Sequence, residues 1–422
     1  MKNKKVILAF SGGLDTSFCS VWLKKQGYDV ITLTIDTGGF DKEDKDYIVN
    51  QSKLVGATKH YFIGGKQELY DKIISYIIKG NILRGGVYPL CAGPERLIIA
   101  TKLAEIAIKE GASTVAHGST GAGNDQIRFD VTLRVLSPQL KILAPIRDLG
   151  IKREDEIKYL QGHHISIPKV SKSYSVNKGM LGITVGGKET TGSWESPPDE
   201  VYPGITPIEK TPNKPDEIII TFKNGLPVTV RLKTPRGWHP PAGGMTPPMV
   251  EESGIEIMEY LNILGSKHGV GKGIHLGDTI LGIKGRVAFA APAITILIKA
   301  HKELEKLVLT KWQLFWKNHL SEVYGNFLHE ALYFDPVARD IEAMIDSSQK
   351  NVTGDAKVKL FKGNIIITGV KSPYSLMNPE VAVYGEKNAL WTGEEAAGFS
   401  KLYGLQSCLS TNAKKLGDKY ED

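Results

Sequence analysis

The sequence has few cysteines and no long apolar run. Its three cysteines, Cys19, Cys91 and Cys408, lie far apart in 422 residues and form no CxxC pair. This spacing supports neither a zinc ribbon nor a disulfide framework and is typical of a reducing cytoplasm. The most apolar later run, 287–298, is shorter than the roughly 20 residues that a membrane span needs. The apolar run at 6–10 is too short for a secretory signal, so we expect a cytoplasmic protein with no membrane partner.

Charge gives little indication of a partner. The chain carries 53 lysines and arginines against 46 aspartates and glutamates, a formal net charge of +7. A mildly basic surface suits anionic small substrates or RNA, but an ordinary solvated surface explains it equally well. RNA binding would also predict a basic arm with interleaved aromatic residues, and only 234–244 faintly resembles one. We therefore expect small-molecule partners and no nucleic acid.

A phosphate-binding lysine is missing from the loop where it would be expected. The string VILAFSGGLDTSF, residues 6–18, places a buried strand, a glycine turn and a helix start in succession, without the GK[ST] of a P-loop. The string GITVGGKE, residues 182–189, does match GxxxxGK. However, Glu189 stands where a metal-binding serine or threonine is required, and no buried strand precedes it. The sequence therefore excludes a P-loop NTPase.

The loop at 11–17 has the composition of an anion site. Ser11, Gly12 and Gly13 lead into a helix N-terminus, where free N–H groups and the helix dipole favour a phosphate. Asp15 would repel phosphate, so we expect it to hold Mg²⁺ or to orient the loop. A plain strand-to-helix turn capped by serine or aspartate is the alternative. The whole string SGGLDTS after a buried strand favours a nucleotide site.

The first 150 residues alternate strand and helix patterns. Apolar runs predict strands at 6–10, 28–36, 59–63, 113–118 and 140–146, with helical spacing between several of them. Such repetition predicts an α/β fold whose nucleotide-binding domain is a doubly wound, mainly parallel sheet. An α+β domain and a C-terminal helix follow it. Ligands of such sheets bind beyond the carboxyl ends of the strands, where both glycine-rich loops emerge.

The second glycine-rich loop, 117–130, is dense in polar groups. Its sequence, HGSTGAGNDQIRFD, follows a short apolar strand. Arg128 can clamp a carboxylate, Thr120 and Asn124 can orient an amino acid, and Asp125 can pair with its ammonium. The alternative is a glycine-rich turn in which Asp125 and Arg128 form an exposed i,i+3 pair. The position at the same end of the sheet as the first loop favours a substrate site.

The remaining chain suggests further domains. Twelve of the 21 prolines lie between 197 and 248, a density that predicts long loops rather than a packed sheet. Helices are expected around 254–266 and 295–320, and the tail after Trp391 has helical periodicity with little bulk of its own. We predict a nucleotide-binding domain at 1–168, a second domain at 169–385 and a C-terminal oligomerisation tail at 386–422.

Two strings carry a family resemblance. SGGLDTS resembles the signature of the N-type ATP pyrophosphatases, and together with HGSTGAGNDQIRF it is similar to the argininosuccinate synthase family. The resemblance extends over most of residues 4–345, more loosely in the proline-rich segment. It implies that ATP, citrulline and aspartate give argininosuccinate, AMP and pyrophosphate through a citrullyl-adenylate. It also implies ATP and Mg²⁺ as cofactors, a synthetase role for the second domain, and a homotetramer.

The resemblance also implies roles for matching positions. The ATP-binding residues would be Ala9, Phe10, Ser11, Gly12, Gly13, Leu14, Asp15, Thr16, Ser17, Ile35 and Gly118. The aspartate-binding residues would be Thr120, Asn124 and Asp125. The citrulline-binding residues would be Tyr88, Asn124, Arg128, Ser175 and Thr184. We expect Ser11, Asp15, Thr120 and Asp125 to act in catalysis, and no metal site beyond Mg²⁺ with ATP, held by Asp15 if by any side chain.

Three positions depart from the family pattern. Gly93 stands where the family often has a serine, Phe289 where it often has a tyrosine, and Gly277–Asp278 near a family glutamate. The loss of two hydroxyl groups and one carboxylate at these positions would weaken or reroute citrulline binding. Two alternatives therefore stay open: another adenylating enzyme, such as a tRNA-modifying synthetase, and a non-enzymatic ATP sensor. The isolated histidines His60, His117 and His275 are interpreted as structural or orienting.

Overall fold

The computed structural model describes residues 4–165, 174–235, 237–239 and 253–417. The chain divides into two compact units, Met1–Tyr374 and Ser375–Asp422. The predicted boundary at residue 168 lies outside the described residues, and the three-domain division stays a prediction. Across the described ranges, no helix is long and apolar enough to cross a membrane.

The first sheet is parallel and has five strands. They are β1 (Lys4–Ala9), β2 (Tyr28–Asp36), β3 (Lys59–Gly64), β4 (Thr114–Ala116) and β5 (Lys141–Leu143). Their order is β3-β2-β1-β4-β5, so chain order reverses direction at β1. Val6, Ile7 and Leu8 are all fully buried, as a strand covered on both faces requires. The predicted α/β fold class is confirmed.

Helices connect and cover these strands. They are α1 (Leu14–Lys25), α2 (Lys42–Leu54), α3 (Lys66–Leu69), α4 (Ser75–Gly80), α5 (Glu95–Glu110), α6 (Asp125–Leu136), α7 (Pro145–Leu149) and α8 (Arg153–Gly162), with a π-helical turn at Tyr70–Ile74 between α3 and α4. The strand β1 feeds α1 directly, and β4 leads through a loop into α6. Both loops therefore open at the carboxyl edge of the sheet, next to the point where strand order reverses.

Two antiparallel sheets follow. Their strands are β6 (Ser175–Gly179), β7 (Gly182–Gly186), β8 (Asp216–Lys223), β9 (Leu226–Thr234), β10 (Gly237–His239), β11 (Lys272–Asp278), β12 (Lys284–Ala290), β13 (Gly354–Phe361) and β14 (Asn364–Lys371). One sheet has the order β10-β9-β8-β13-β14 and the other β11-β12-β7-β6. Short 3₁₀ turns lie at Lys188–Thr191, Asp199–Val201 and Ile208–Lys210.

The prediction of long loops across the proline-rich segment is wrong for 216–234. Strands β8 and β9 lie there and pair over most of their length. Pro227 is tolerated because β10 pairs only with Leu232–Thr234, so β9 is an edge at Pro227 and loses no ladder bond to a missing N–H. Most other prolines of the segment precede β8 or follow β9, and 240–248 lie outside the described residues.

Four helices pack with these sheets. They are α9 (Gly254–Lys267), α10 (Pro292–Val308), α11 (Lys311–Glu330) and α12 (Pro336–Gln349). The predicted helical stretch at 295–320 is two helices. The first ends at Val308, and Thr310 caps the second, because its side chain accepts a hydrogen bond from the Gln313 N–H.

The second unit contains a small hairpin and two helices. They are β15 (Ala382–Val383), β16 (Lys387–Asn388), α13 (Gly393–Tyr403) and α14 (Leu405–Gly417). Neither helix buries a residue, and apolar side chains such as Phe399, Leu402 and Leu409 are largely exposed. The C-terminal helix of the predicted fold is thus a helix pair.

Candidate active site

The loop between β1 and α1 presents the start of a helix. Gly12 has a φ of +74°, a backbone conformation that residues other than glycine rarely adopt. The Tyr47 hydroxyl donates a hydrogen bond to the Gly12 carbonyl at 3.2 Å. The Ser11 N–H donates to Thr16 Oγ1 at 3.3 Å, and the Gly13 N–H donates to Ser11 Oγ at 3.4 Å. The two hydroxyls therefore brace the turn that presents the N-terminus of α1.

One cleft of about 830 Å³ joins this loop to the loop before α6. Both loops were predicted from glycine-rich strings that follow apolar strands, at the carboxyl ends of a parallel sheet. The sequence-predicted residues that line the cleft are Ala9, Phe10, Ser11, Gly13, Leu14, Asp15, Thr16, Ile35, Tyr88, Gly118, Thr120, Asn124, Asp125, Arg128, Ser175 and Thr184. Gly12 and Ser17 do not line it. Ser17 is fully buried, where Gln51 donates to its hydroxyl at 3.4 Å.

Asp15 faces two residues that the sequence patterns did not indicate. They are Glu156 and Arg153 on α8, and Arg153 also lines the cleft. Burial raises the pKa of Asp15, against the hydrogen bond with Glu156 and the charge of Arg153. Burial and the Asp15 charge raise the pKa of Glu156 to about 8. Glu156 therefore stays protonated to a higher pH than an ordinary glutamate, beside an acidic neighbour.

Two arginines hold Asp125. Arg96 Nε donates to its carboxylate at 2.9 Å and Arg128 Nη1 at 2.8 Å. Burial raises the pKa of Asp125, but the two guanidinium groups lower it by more. The net pKa is below the ordinary value, so the carboxylate stays ionised. The i,i+3 pair with Arg128 exists but is not a surface pair, since only 8% of the Arg128 side chain is exposed. Asp125 itself keeps 35% of its side chain exposed and is open to a further donor.

Comparison with known proteins decides the family. The model of the arginosuccinate synthase N-terminal HUP domain matches residues 5–166, and that of the arginosuccinate synthase C-terminal domain matches 174–410. The argininosuccinate synthase of Staphylococcus carnosus is 38% identical over 404 residues, 95% of this chain and 96% of the relative. That of Methanocaldococcus jannaschii is 39% identical over 412 residues, 97% and 98% of the two chains. The chain belongs to the argininosuccinate synthase family.

Membership confirms the predicted enzyme class. The chain is an ATP-using ligase of arginine biosynthesis, and small-molecule substrates fit this family. No comparison assigns a role to any single residue. The roles of the cleft-lining residues therefore rest on the geometry of the site.

Gly93, the first departure from the family pattern, makes room for an arginine. A Cβ at Gly93 would lie 3.0 Å from the Cζ and Nη2 of Arg128. The guanidinium is fixed there, since Arg128 Nε donates to the His329 carbonyl at 3.0 Å and Nη2 lies 3.1 Å from His329 Nδ1. Glycine at this position therefore lets Arg128 pack against the loop before α5.

The other departures lie around one aromatic stack. The Tyr88 ring stacks on His275 at 5.4 Å and tilts against Phe289 at 5.3 Å. Phe289 is buried and does not line the cleft. A Cβ at Gly277 would lie 2.5 Å from His275 Nε2, so no side chain fits there while His275 keeps its place.

Asp278 lines the cleft, but its side chain is engaged by another residue. Its exposed carboxylate pairs with Lys284 at 2.6 Å. Its carbonyl oxygen accepts a hydrogen bond from Arg84 Nη2 at 2.8 Å. Arg84 itself lines the cleft and was not indicated by any sequence pattern.

Glu95, at the first position of α5, is a further cleft residue that sequence patterns missed. It is buried, and its Oε1 has no hydrogen-bond partner within the described part of the chain. Burial raises the pKa of Glu95 to about 8, against the opposing effect of Arg96. From sequence alone this position is only the start of a helix.

Within the described ranges, no group of three or more His, Cys, Asp or Glu side chains is arranged to hold a metal ion. Two of the isolated histidines have structural partners: His117 Nε2 lies 3.0 Å from Asp130 Oδ1, and His60 Nδ1 lies 2.9 Å from the Thr32 hydroxyl. His275 stacks on Tyr88, and its Nε2 has no hydrogen-bond partner among the described residues. Asp15, with Glu156 beside it, is the carboxyl group nearest the nucleotide loop.

Proposed function

We propose that the chain joins citrulline to aspartate at the expense of ATP. The ureido oxygen of citrulline attacks the α-phosphate of ATP, and the bond to pyrophosphate breaks. The α-amine of aspartate then attacks the ureido carbon of the citrullyl-adenylate, and AMP leaves with the former ureido oxygen. The observation that carries the proposal is the single cleft that joins the two loops.

The nucleotide end of the cleft suits a departing pyrophosphate. The N-terminus of α1 offers backbone N–H groups and a favourable dipole at Ser11–Leu14. The ATP-binding residues proposed here are Ala9, Phe10, Ser11, Gly12, Gly13, Leu14, Asp15, Thr16, Ser17, Ile35 and Gly118, although Gly12 and Ser17 can act only through the backbone or through packing. Mg²⁺ binds nucleotide phosphates with one or two carboxylates. Asp15 would hold the ion here, and the ion would neutralise phosphate charge.

The amino-acid end of the cleft suits aspartate beside α6. Asp125 stays ionised and partly exposed, so it can accept the ammonium of the incoming substrate. Asn124 Oδ1 accepts from the Ile280 N–H at 2.9 Å, which leaves its amide nitrogen as a donor. Thr120 lies on the same loop and supplies a hydroxyl.

Citrulline would lie between the loop before α6 and the sheet β11-β12-β7-β6. Tyr88, Asn124, Arg128, Ser175 and Thr184 line that part of the cleft. Three of the five N–H donors of Arg128 are engaged by protein groups, so two remain for a carboxylate. Alignment of three reactants in one cleft can lower the barrier by about 7–11 kcal/mol without a dedicated nucleophile.

The assay is pyrophosphate release from Mg-ATP, with citrulline or aspartate omitted in turn. The proposal requires that release needs citrulline and that AMP formation needs aspartate. Release without citrulline, or only with added tRNA, would instead favour another adenylating enzyme. ATP binding without any release would favour a sensor.

The assembly proposed with this function is a homotetramer in the cytoplasm. The helices α13 and α14 bury none of their residues, so their apolar side chains are available to a neighbouring copy. Measurement of the molar mass in solution tests this part of the proposal directly.

A further inference from the structure

One wall of the cleft is basic, and Asp278, which also lines the cleft, has its carboxylate paired with Lys284. This wall is formed by Arg84, His275 and His329, with Arg128 beside them, and we call it the basic wall. Among the described residues, Arg84 has no carboxylate within ion-pairing distance. Its recorded hydrogen bond runs from Nη2 to the Asp278 carbonyl. The proposed function leaves Arg84, His275 and His329 without a role.

Arg128 fixes the position of the proton on His329. Its Nη2 lies 3.1 Å from His329 Nδ1, and a guanidinium can only donate. Nδ1 is therefore the acceptor, and the neutral ring carries its proton on Nε2. Burial, together with Arg128 and Arg84, lowers the pKa of His329 to about 3, so the ring stays neutral.

The Nε2–H of His329 is a donor without an acceptor. His329 is 5% exposed, and its Nε2 has no hydrogen-bond partner within the described residues. The Asp278 carbonyl acts on this ring electrostatically but forms no hydrogen bond of normal geometry with it, and it already accepts from Arg84. A buried, unpaired donor is costly, so a ligand oxygen that accepts from it gains affinity.

A cationic group finds no partner at the same wall. Gly277 has no side chain and can have none beside His275. The Asp278 carboxylate is exposed and paired with Lys284. Asp125 is shared by Arg96 and Arg128 and faces the proposed aspartate position. An ammonium placed beside Arg84 would therefore be repelled by the guanidinium and would have to compete with Lys284 for Asp278.

We infer that the basic wall binds the carboxylate of the ureido substrate through Arg84 and His329 and does not recognise an α-ammonium. The substrate class is then ureido carboxylic acids, of which citrulline is one member. This inference rests on the proposed function. It specifies which charged group of the ureido substrate the same site recognises.

The first test compares two acceptors with Mg-ATP and aspartate: citrulline, and δ-ureidovalerate, which is citrulline without its α-amine. We expect kcat/KM for pyrophosphate release with δ-ureidovalerate within about tenfold of that with citrulline, or above it. A hydrogen bond to a charged group is worth about tenfold or more. A larger loss would show that the ammonium is recognised and would overturn the inference while the proposed function stands. No release with either acceptor, despite ATP binding, would overturn the proposed function itself.

The second test uses variants of the wall. Arg84→Met should raise the KM for both acceptors by about tenfold or more, with kcat and the KM for ATP nearly unchanged. His329→Phe should act in the same direction, whereas His329→Gln should restore part of the loss because its amide can replace the donor. His319→Phe, on the exposed face of the same helix, is the matched control. An unchanged acceptor KM in Arg84→Met would contradict the inference even if the His329 variants do not fold.

Discussion

Asp15 is the residue on which the nucleotide chemistry depends most. It lies in the first turn of α1, where an acidic group meets the helix dipole favourably, yet its burial beside Glu156 raises its pKa. A carboxyl group kept in such surroundings needs a cation or a shared proton. We attribute its position to the Mg²⁺ that accompanies ATP.

Asp15→Asn should reduce pyrophosphate release by on the order of a hundredfold or more, because the amide cannot neutralise a cation. The thermal midpoint should not fall, since the change removes a carboxyl group that burial disfavours. Asp155→Asn, on the exposed face of α8, is the control and should behave like the parent. A variant that keeps more than about a tenth of the activity would refute this role.

The carboxyl group of Glu156 makes stability depend on pH. Its pKa is raised from 4.5 to about 8 on folding, so the folded state binds more protons than the unfolded state between these values. Stability therefore falls as pH rises through that range. The free energy of unfolding of the parent minus that of Glu156→Gln should decrease from pH 5 to pH 9, by on the order of 2 kcal/mol. Denaturant titrations at three pH values measure it, and a flat difference would contradict the assignment.

At the residue scale, sequence patterns indicated the groups that follow a strand directly. Asp15 and Asp125 lie in the first turns of helices that follow the neighbouring parallel strands β1 and β4, and the pairing of these strands brings them to one edge of the sheet. Glu156 and His329 come from helices far along the chain, so nothing in their local sequence indicates the cleft. Ser17 was predicted to face the ligand because it belongs to the motif, but helical periodicity turns it into the core.

At the scale of elements, the pairing of β11 with β12 fixes the aromatic stack. Gly273 lies opposite Phe289 in the register, and a Cβ there would lie 2.4 Å from the Phe289 ring. The ring in turn supports Tyr88. The glycine is therefore required by cross-strand packing.

Gly273→Ala should lower the free energy of unfolding by about 1–3 kcal/mol, as expected for overpacking. It should also raise the KM for the ureido substrate through displacement of Tyr88. Gly186→Ala in the same sheet is the matched control, because a Cβ there meets nothing within 4 Å, and its effect should stay within about 0.5 kcal/mol. Equal stability of the two variants would argue against this packing.

The elements also show how far a sequence pattern reaches. A parallel sheet was predicted because strand and helix patterns alternate over the first 150 residues, and β1 has the continuous apolar run of a strand buried on both faces. The strands β8 and β9 were missed because the prediction used the proline density of the whole segment. Within the two strands the only proline is Pro227, and it lies at a sheet edge, where proline is tolerated. The turn at Thr310 was missed because apolar spacing continues across it.

At the scale of the whole molecule, the second unit carries an apolar surface. The helices α13 and α14 expose residues that include Phe399, Leu402 and Leu409. The proposed homotetramer would cover them. Sequence periodicity could predict these helices but not their exposure, since burial depends on what packs against them.

Phe399→Asp combined with Leu402→Asp should convert the proposed tetramer to smaller species, because two charges would be placed in an apolar interface. Light scattering coupled to size-exclusion chromatography measures the molar mass. Lys401→Ala on the same helix is the control. A tetramer that persists in the double variant would show that assembly uses another surface.

The central claim is that one cleft first adenylates a ureido oxygen and then lets an amine displace AMP. Citrulline labelled with heavy oxygen in its ureido group tests both steps at once, because the attacking oxygen leaves on AMP. Mass spectrometry of the AMP formed with Mg-ATP and aspartate should show the label quantitatively in its phosphate. Unlabelled AMP, formed at the same rate as argininosuccinate, would contradict the account.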